Sequence, residues 1–223
     1  MLISCWSAKG GVGTTVVASS LALLLAGRDP AGVVLADLAG DVPTVLGLTP
    51  FASAGLAGWL SAGPEVPADA LGRLEVPVAA GLAVLPRGDG HLAAGRAAVL
   101  ATLLSRGSRP VVVDCGHLAA GGTGGGASAA EVVAGAAERS LLVVRPCFVT
   151  LQHVQRVASR PTGIVVVHEP GRAFGRHDVE RVVGVPVVAE IESDPAVARA
   201  VDAGLLTVSR LPRSLTRGLR DAA

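Results

Sequence analysis

The sequence is poor in several features that would assign a protein to a class at once. Its 19 basic residues include one lysine, Lys9; it has three cysteines, and its formal net charge is +1. This balanced charge provides no general attraction to nucleic acid. The cysteines, Cys5, Cys115 and Cys147, are odd in number and irregularly spaced, which indicates buried thiols rather than a disulfide framework or a metal site.

Long hydrophobic runs are also missing. No apolar run reaches the roughly 18 residues of a membrane span, and repeats and charge runs are absent. The first predicted strand begins at Leu2, which leaves no room for a signal peptide and predicts a cytoplasmic protein. With 223 residues, 50% of them hydrophobic, the chain can bury one sizeable core. We expect one domain over 1–223 that ends in a tail or helix over 208–223.

Short apolar runs rich in β-branched residues alternate with Ala- and Leu-rich stretches. This alternation predicts an α/β domain whose central sheet is mostly parallel and has helices on both faces. The predicted strands span 2–6, 32–37, 82–85, 110–114, 140–145, 163–168 and 186–191. The predicted helices lie near 14–26, 54–62, 90–105, 127–138, 150–159, 176–183 and 194–203. Such sheets bind ligands at the carboxyl ends of their strands, so residues that follow a strand are the candidate site.

The single lysine lies in the segment SAKGGVGTT, between the first predicted strand and the first predicted helix. Because the sequence otherwise uses arginine, this position has a local need for lysine. A compact ammonium suits a loop whose backbone N–H groups wrap phosphates, whereas a planar guanidinium is too bulky. The phosphate-loop pattern G-x-x-x-x-G-K-[ST] is matched only in part, since Ala8 and Thr14 replace its first Gly and its Lys. The alternative is an ordinary glycine-rich turn.

The segment resembles the deviant Walker A loop, K-G-G-x-G-K-[ST], of the ParA/MinD family of P-loop ATPases. Its G-T-T ending is similar to the CpaE/TadZ branch, found in pilus-assembly systems. The resemblance implies that Lys9 reaches across a dimer interface to the partner's nucleotide, that Thr15 binds Mg²⁺, and that Thr14 replaces the lysine that holds the β- and γ-phosphates. The residues implied in nucleotide binding here are Lys9, Gly10, Gly11, Val12, Gly13, Thr14 and Thr15.

Carboxylates follow two of the predicted strands. The V-V-V-D run ending at Asp114 has the Walker B pattern, which implies indirect binding of Mg²⁺. Asp37 ends the second strand, where a Mg²⁺-bound water can reach it.

The family carries D-x-D after this strand, and the second aspartate of that pair positions the attacking water. In this chain Ala39 occupies that position. Asp41 can take over the role of the missing second aspartate only if the loop is rearranged. The alternative is that Asp41 is a solvated or helix-capping residue with no catalytic role. His117 is a further candidate base or a polar surface residue. The candidate catalytic residues are Lys9, Asp37 and Asp41, and the candidate metal ligands are Thr15, Asp37 and Asp114.

The resemblance also covers the last third of the chain. His168 occupies the position of the asparagine in the family's adenine-reading V-x-N-R strand, and it still offers one donor and one acceptor. Glu192 and Asp194 belong to a segment that resembles l-P-v-v-a-e-I-P-x-D, which implies contact with adenine and ribose. Near the C-terminus, Leu211, Leu215 and Leu219 share one helical stripe. Because MinD ends in a membrane helix, weak membrane contact is one interpretation of this stripe, and a terminal helix packed on the domain is the other.

Taken together, the resemblance implies a protein that binds ATP or ADP with Mg²⁺, forms a nucleotide-dependent homodimer and positions other machinery through an unidentified protein partner. A pilus, secretion or division apparatus, at the inner membrane face or the cell pole, fits this role. Thr14 and Ala39 lack groups that act on phosphoryl transfer, so hydrolysis is expected to be weak or absent. The alternatives are a nucleotide-free scaffold, an iron-protein-like reductase bridged by cysteines, and a ligase or kinase of the dethiobiotin-synthetase type, which needs the missing lysine.

Overall fold

Strands form where the chain carries short runs of branched aliphatic residues that can be buried on both faces. The computed structural model describes residues 1–51, 53–63, 66–119, 127–206 and 211–223. Eight strands occur in these ranges: β1 (Leu2–Ser7), β2 (Val33–Asp37), β3 (Val76–Ala79), β4 (Leu82–Leu85), β5 (Val111–His117), β6 (Arg139–Val144), β7 (Gly163–Val167) and β8 (Val187–Ile191). They form one sheet in the order β3-β4-β2-β5-β1-β6-β7-β8.

The sheet is mostly parallel, as predicted. Every neighbouring pair runs parallel except β3 and β4, which are antiparallel. The strand β3 is absent from the predicted set because it has four residues and contains Pro77. A proline has no N–H for the strand ladder, and β3 accommodates it as an edge strand.

Helices cover both faces of this sheet, which confirms the predicted class. The helices of the described ranges are α1 (Thr14–Ala26), α2 (Val42–Leu46), α3 (Gly55–Ser61), α4 (Ala97–Arg106), α5 (Ala129–Ala136), α6 (Phe148–Val154), α7 (Arg176–Val183), α8 (Pro195–Asp202) and α9 (Arg213–Gly218). One core layer contains apolar residues of α3 to α7, and the other contains those of α1, α2, α8 and α9. None of the helices in these ranges has the length and apolar character needed to cross a bilayer.

Two predicted helices differ most from the observed ones at their ends, and the others agree within two residues. The predicted helix near 90–105 begins only at Ala97, because Gly90 has a φ of 100° and a 3-10 turn precedes the helix. The predicted helix near 150–159 begins earlier, at Phe148, and ends at Val154. The five-residue helix α2, with Pro43 in its first turn, was too short for its periodicity to be visible.

The C-terminal helix α9 packs on the domain. Leu215 and Leu219 are buried in the core layer that contains α1, and Leu211 is partly buried against it. A Cβ at Gly218 would lie 2.4 Å from the carbonyl oxygen of Glu190, so α9 approaches β8 at backbone distance. The leucine stripe is therefore part of the core in this structure. Residues 208–210 of the predicted tail lie outside the described residues.

The three thiols are free, but they are not equally buried. Cys5 and Cys115 are buried as predicted, and burial raises the pKa of both. The prediction was wrong for Cys147, which is only half-buried at the N-cap of α6. Its strand, β6, ends at Val144, so Cys147 lies in the loop beyond the sheet.

Candidate functional site

The loop between β1 and α1 is shaped for close approach by a ligand. Gly11 and Gly13 have φ values of 77° and 96°, a conformation that residues with a Cβ rarely adopt. Among the described residues, no atom lies within 4 Å of a Cβ built at Gly10, Gly11 or Gly13. Val12 is buried and anchors the loop in the core. The loop thus leaves open space at the N-terminus of α1, where free N–H groups and the helix dipole favour an anion.

This loop borders a cleft of about 670 Å³ at the carboxyl edge of the sheet. The turn after β2, the end of β5 and the loop after β4 provide its other walls. The polar and small side chains that line it include Thr14, Thr15, Ala39, Asp41, Thr44, Arg87, Cys115, His117 and Ser128. Thr14 and Ala39, the two departures from the family pattern, therefore line the same space.

A second cleft, of about 450 Å³, adjoins the first across Gly13 and Val16. It lies between the carboxyl ends of β7 and β8 and helix α8. His168, Glu192 and Asp194, the residues predicted on the base side, all line it, as does Arg145. The structure therefore brings the predicted loop and base residues into two connected clefts, whereas Lys9, Asp37 and Asp114 are not among the residues that line them.

Asp114 is the most unusual polar residue of the site. It is buried, its Oδ1 accepts the N–H of Gly116 at 3.0 Å, and its Oδ2 has no hydrogen-bond partner among the described residues. Burial raises its pKa from the ordinary 3.8 to about 7, while the Thr15 side chain acts in the opposite direction and Asp37 adds to the rise. A buried carboxylate oxygen without a hydrogen-bond donor is suited to bind a water of a hydrated cation or to bind a proton.

Asp37 is buried beside it and organises the turn after β2. Its Oδ1 accepts the N–H of Gly40 at 2.6 Å, and its Oδ2 accepts the N–H of Val42 at 3.3 Å. Burial raises its pKa to about 6, and these backbone hydrogen bonds oppose the rise. Each oxygen keeps a free lone pair, so the predicted catalytic and metal-binding roles of Asp37 stay predictions.

Asp41 lies at the N-cap of α2, but its side chain accepts no capping hydrogen bond there. Asp37 bonds the first N–H of α2 instead. Of the two forms of the alternative, a solvated or a helix-capping residue, the Asp41 side chain is therefore the solvated one. The side chain is exposed and lines the first cleft, and its catalytic role stays a prediction.

Lys9 is exposed at the outer side of the site. It belongs to none of the ion pairs of the described ranges. A hydrogen bond with Thr150 lowers the pKa of Cys147, and the positive charge of Lys9 contributes to the same decrease. The ammonium is therefore close enough to the N-terminus of α6 to affect Cys147, and among the described residues no ion pair occupies it.

The base-side residues are held by neighbours that the sequence did not reveal. The Nε2 of His168 lies 2.9 Å from Oε2 of Glu190, which leaves Nδ1 for a ligand. Asp194 caps α8 by accepting the N–H of Ala196 at 2.8 Å, and it accepts the hydroxyl of Ser214 at 2.8 Å. Glu192 is exposed. Their contact with adenine and ribose stays a prediction.

The carboxylates do not form a metal site by themselves. In the described ranges there is no group of three or more His, Cys, Asp or Glu side chains that could hold a metal ion. Mg²⁺ prefers an octahedron of oxygens and keeps several waters, with phosphates supplying further ligands. Thr15 and Asp114 fit that kind of shared site.

Arg87 and Arg145 line the clefts but were not among the predicted site residues. Both stand one or two residues beyond the end of a strand, β4 or β6. The rule that ligands bind at the carboxyl ends of strands could have identified them.

Solved structures with the same fold cover almost the whole chain. A ParA family ATPase from Chlorobium tepidum TLS has a TM-score of 0.78 and 18% identity over 99% of this chain and 96% of its own. MinD from Aquifex aeolicus has a TM-score of 0.73 and 19% identity over 99% and 93%. MinD from Pyrococcus horikoshii OT3, solved with Mg-ADP, has a TM-score of 0.73 and 18% identity over 97% and 91%.

Comparisons of sequence, in contrast to those of structure, identify no relative of this chain. No protein-family model matches it, and neither does the sequence of any curated protein. The fold expected from the glycine loop and the strand pattern is nevertheless confirmed. The chain has the P-loop α/β fold of ParA and MinD ATPases over nearly its whole length.

Proposed function

We propose that the two connected clefts bind an adenine nucleotide with Mg²⁺. The observation that carries this proposal is the buried Oδ2 of Asp114, which lacks a hydrogen-bond partner among the described residues. Asp114 lies near the Thr15 side chain and directly precedes Cys115, and both of these neighbours line the first cleft. An unsatisfied buried acceptor costs about 1–3 kcal/mol, and more when charged. A water of the Mg²⁺ shell would satisfy it.

The residues around this carboxylate suit the rest of the ligand. The N–H groups of the loop from Gly10 to Thr15 and the N-terminus of α1 would hold the phosphates. The Thr15 hydroxyl and Asp114 would hold Mg²⁺, which neutralises phosphate charge when bound. The second cleft would take the base and ribose, with His168 on its wall.

We propose that hydrolysis is weak or absent. The cleft has Thr14 where a lysine stabilises charge on the transferring phosphoryl group, and Ala39 where an aspartate positions water. No lysine is found among the described residues that line the cleft, so the missing phosphate lysine is not replaced by another lysine. Loss of such preorganised groups costs orders of magnitude in rate.

As its output we propose a nucleotide-dependent homodimer that positions another apparatus, such as a pilus or secretion system. Lys9 supports the dimer, since it is exposed, is in no ion pair of the described ranges and is thus available to a second subunit. MinD from Aquifex aeolicus, a structure of this fold, has been solved in complex with MinC, which supports a protein partner here as well. We place the protein in the cytoplasm or at the inner face of the membrane. Contact with lipid through the α9 leucines would require this helix to leave the core.

Calorimetric titration of ATP and ADP, with and without Mg²⁺, together with a sizing column, tests this proposal. We expect binding that depends on Mg²⁺ and a dimer in the presence of ATP. Absence of binding up to millimolar nucleotide would contradict it. That result would favour the nucleotide-free scaffold, for which the supporting observation is that Thr14 and Ala39 stand where the family has lysine and aspartate.

A further inference from the structure

One guanidinium lies in the cleft that lacks the phosphate lysine. Among the described residues that line this cleft, Arg87 is the only Lys or Arg. It follows Pro86 directly after β4, so it approaches the cleft from the wall rather than from the glycine loop. A long side chain from the wall avoids the steric conflict that a guanidinium would meet inside the loop.

The backbone of Arg87 is firmly held. The carbonyl oxygens of Pro86 and Arg87 accept the N–H groups of Leu56 and Ala57 in the first turn of α3, at 2.9 and 2.8 Å. Gly88 has a φ of 70°, and a Cβ there would lie 2.1 Å from the carbonyl oxygen of Ala54. A side chain that starts from such a fixed backbone is well placed to present its charge in one region of the cleft.

The side chain lies over the turn that Asp37 organises. A Cβ at Gly40 would be 3.2 Å from Cδ of Arg87, so the absence of a side chain at position 40 gives the arginine its path. The N–H of Gly40 donates to Asp37 at 2.6 Å, which fixes that turn beneath the arginine. The stem of Arg87 is thus guided along the cleft wall.

The charge of Arg87 is not neutralised within the described chain. Its Nη1 and Nη2 donate to the carbonyl oxygens of Gly88 and Gly90 at 3.2 and 3.1 Å. None of the ion pairs in the described ranges involves it. Its other N–H groups remain for an anion, and a guanidinium matches phosphate oxygens in pairs.

We propose that Arg87 supplies the phosphate-binding cation that Thr14 lacks, by contacting the terminal phosphate of a bound nucleoside triphosphate. This inference rests on the proposed nucleotide binding. It makes Arg87 a determinant of specificity for the triphosphate over the diphosphate, because the contact is made with the phosphate that ADP does not have.

The test is calorimetric titration of Mg-ATP and Mg-ADP into the wild type, Arg87→Ala and Arg87→Lys. Arg106→Ala is the matched control, since Arg106 is exposed at the end of α4, before β5 begins, and so lies at the opposite edge of the sheet. We expect Arg87→Ala to weaken ATP about 10- to 100-fold, the range for a lost charge-assisted hydrogen bond. In Arg87→Ala the affinity for ADP should fall less than about threefold. Arg87→Lys should retain part of the affinity for ATP, and Arg106→Ala should bind both nucleotides as the wild type does.

The other outcomes are distinguishable. If the wild type binds ATP and Arg87→Ala binds it equally well, the role of Arg87 is overturned while nucleotide binding stands. If Arg87→Ala weakens ATP and ADP alike and lowers the melting temperature of the nucleotide-free protein, Arg87 only supports the loop through Gly88 and Gly90, and the inference is again overturned. If the wild type binds neither nucleotide, the proposed function itself fails and the inference fails with it.

Discussion

Asp37 and Asp114 are register partners at the carboxyl ends of the adjacent parallel strands β2 and β5, and both are buried. Burial is the main cause that raises the pKa of both carboxyl groups, and the charge of Asp37 adds to the rise at Asp114. Asp114 also lies near Thr15, and folding does not require a buried oxygen that has no hydrogen-bond partner among the described residues.

We expect Asp114→Asn to stabilise the nucleotide-free protein at pH 8. Because burial raises the pKa of Asp114 in the folded protein from 3.8 to about 7, the protonated carboxyl favours the folded state. This contribution to the free energy of unfolding is fully present below pH 3.8, the ordinary pKa that the group has in the unfolded chain. It is lost as the pH rises through about 7. The variant should gain roughly 1–4 kcal/mol at pH 8 and little near pH 4.

Urea unfolding of both proteins between pH 4 and 8 measures this difference. Asp221→Asn, which alters an exposed carboxylate near the C-terminus, is the control and should show no such trend. A variant that is destabilised equally at every pH would show that ionised Asp114 is satisfied in the folded protein.

The combination of Thr14→Lys and Ala39→Asp should create measurable ATP hydrolysis from a background-level wild type. Each change restores a group that acts on transition-state charge or on the attacking water. Phosphate release is the measurement, with the two single variants as references. Adding Asp41→Asn to the double variant should leave the gain intact; if it abolishes the gain, Asp41 rather than position 39 places the water.

Lys9→Ala should shift the ATP-loaded protein toward monomer while ADP binding changes little. The ammonium is exposed, without an ion-pair partner in the described ranges, and the chain has no second lysine to replace it. Lys9→Arg should not restore the dimer, because the guanidinium is too large for the loop. Sizing chromatography with each nucleotide tests this, and a dimer that survives Lys9→Ala would limit Lys9 to a local role.

Leu219→Ala should destabilise the protein by about 2–5 kcal/mol, the usual cost of removing a fully buried leucine side chain. Leu211→Ala, at a partly buried position in the same stripe, is the matched control and should cost less. Thermal unfolding measures both. Two neutral substitutions would mean that α9 does not pack on the domain in solution and is available to other surfaces.

The sequence predicted those parts of the fold that depend on local pattern. Helix α1 begins and ends at the predicted residues because a glycine loop precedes it and Gly27 follows it. The strand β3 and helix α2 were missed because each is too short for a period and both contain proline. Both depend on contacts with other elements: β3 on its pairing with β4, and α2 on the turn whose N–H groups donate to Asp37.

The residues of the candidate site also fall into two groups, those that the sequence predicted and those whose contacts only the fold shows. The glycine loop, Thr15 and Asp114 follow from a motif and from the rule of strand ends. The bond between His168 and Glu190, and the path of Arg87 over Gly40, join residues from different elements. No spacing in the sequence encodes these contacts, so they became visible only with the fold.

The affinity of Mg-ATP for the wild type and for Thr15→Val tests the central claim most directly. The valine keeps the shape of the threonine and removes the hydroxyl that would bind Mg²⁺. We predict that Mg²⁺ strengthens ATP binding to the wild type about tenfold or more, and that Thr15→Val loses this gain while it still binds ATP without Mg²⁺. Equal affinities for both proteins with and without Mg²⁺, or no binding by the wild type, would contradict the account of a nucleotide and magnesium site.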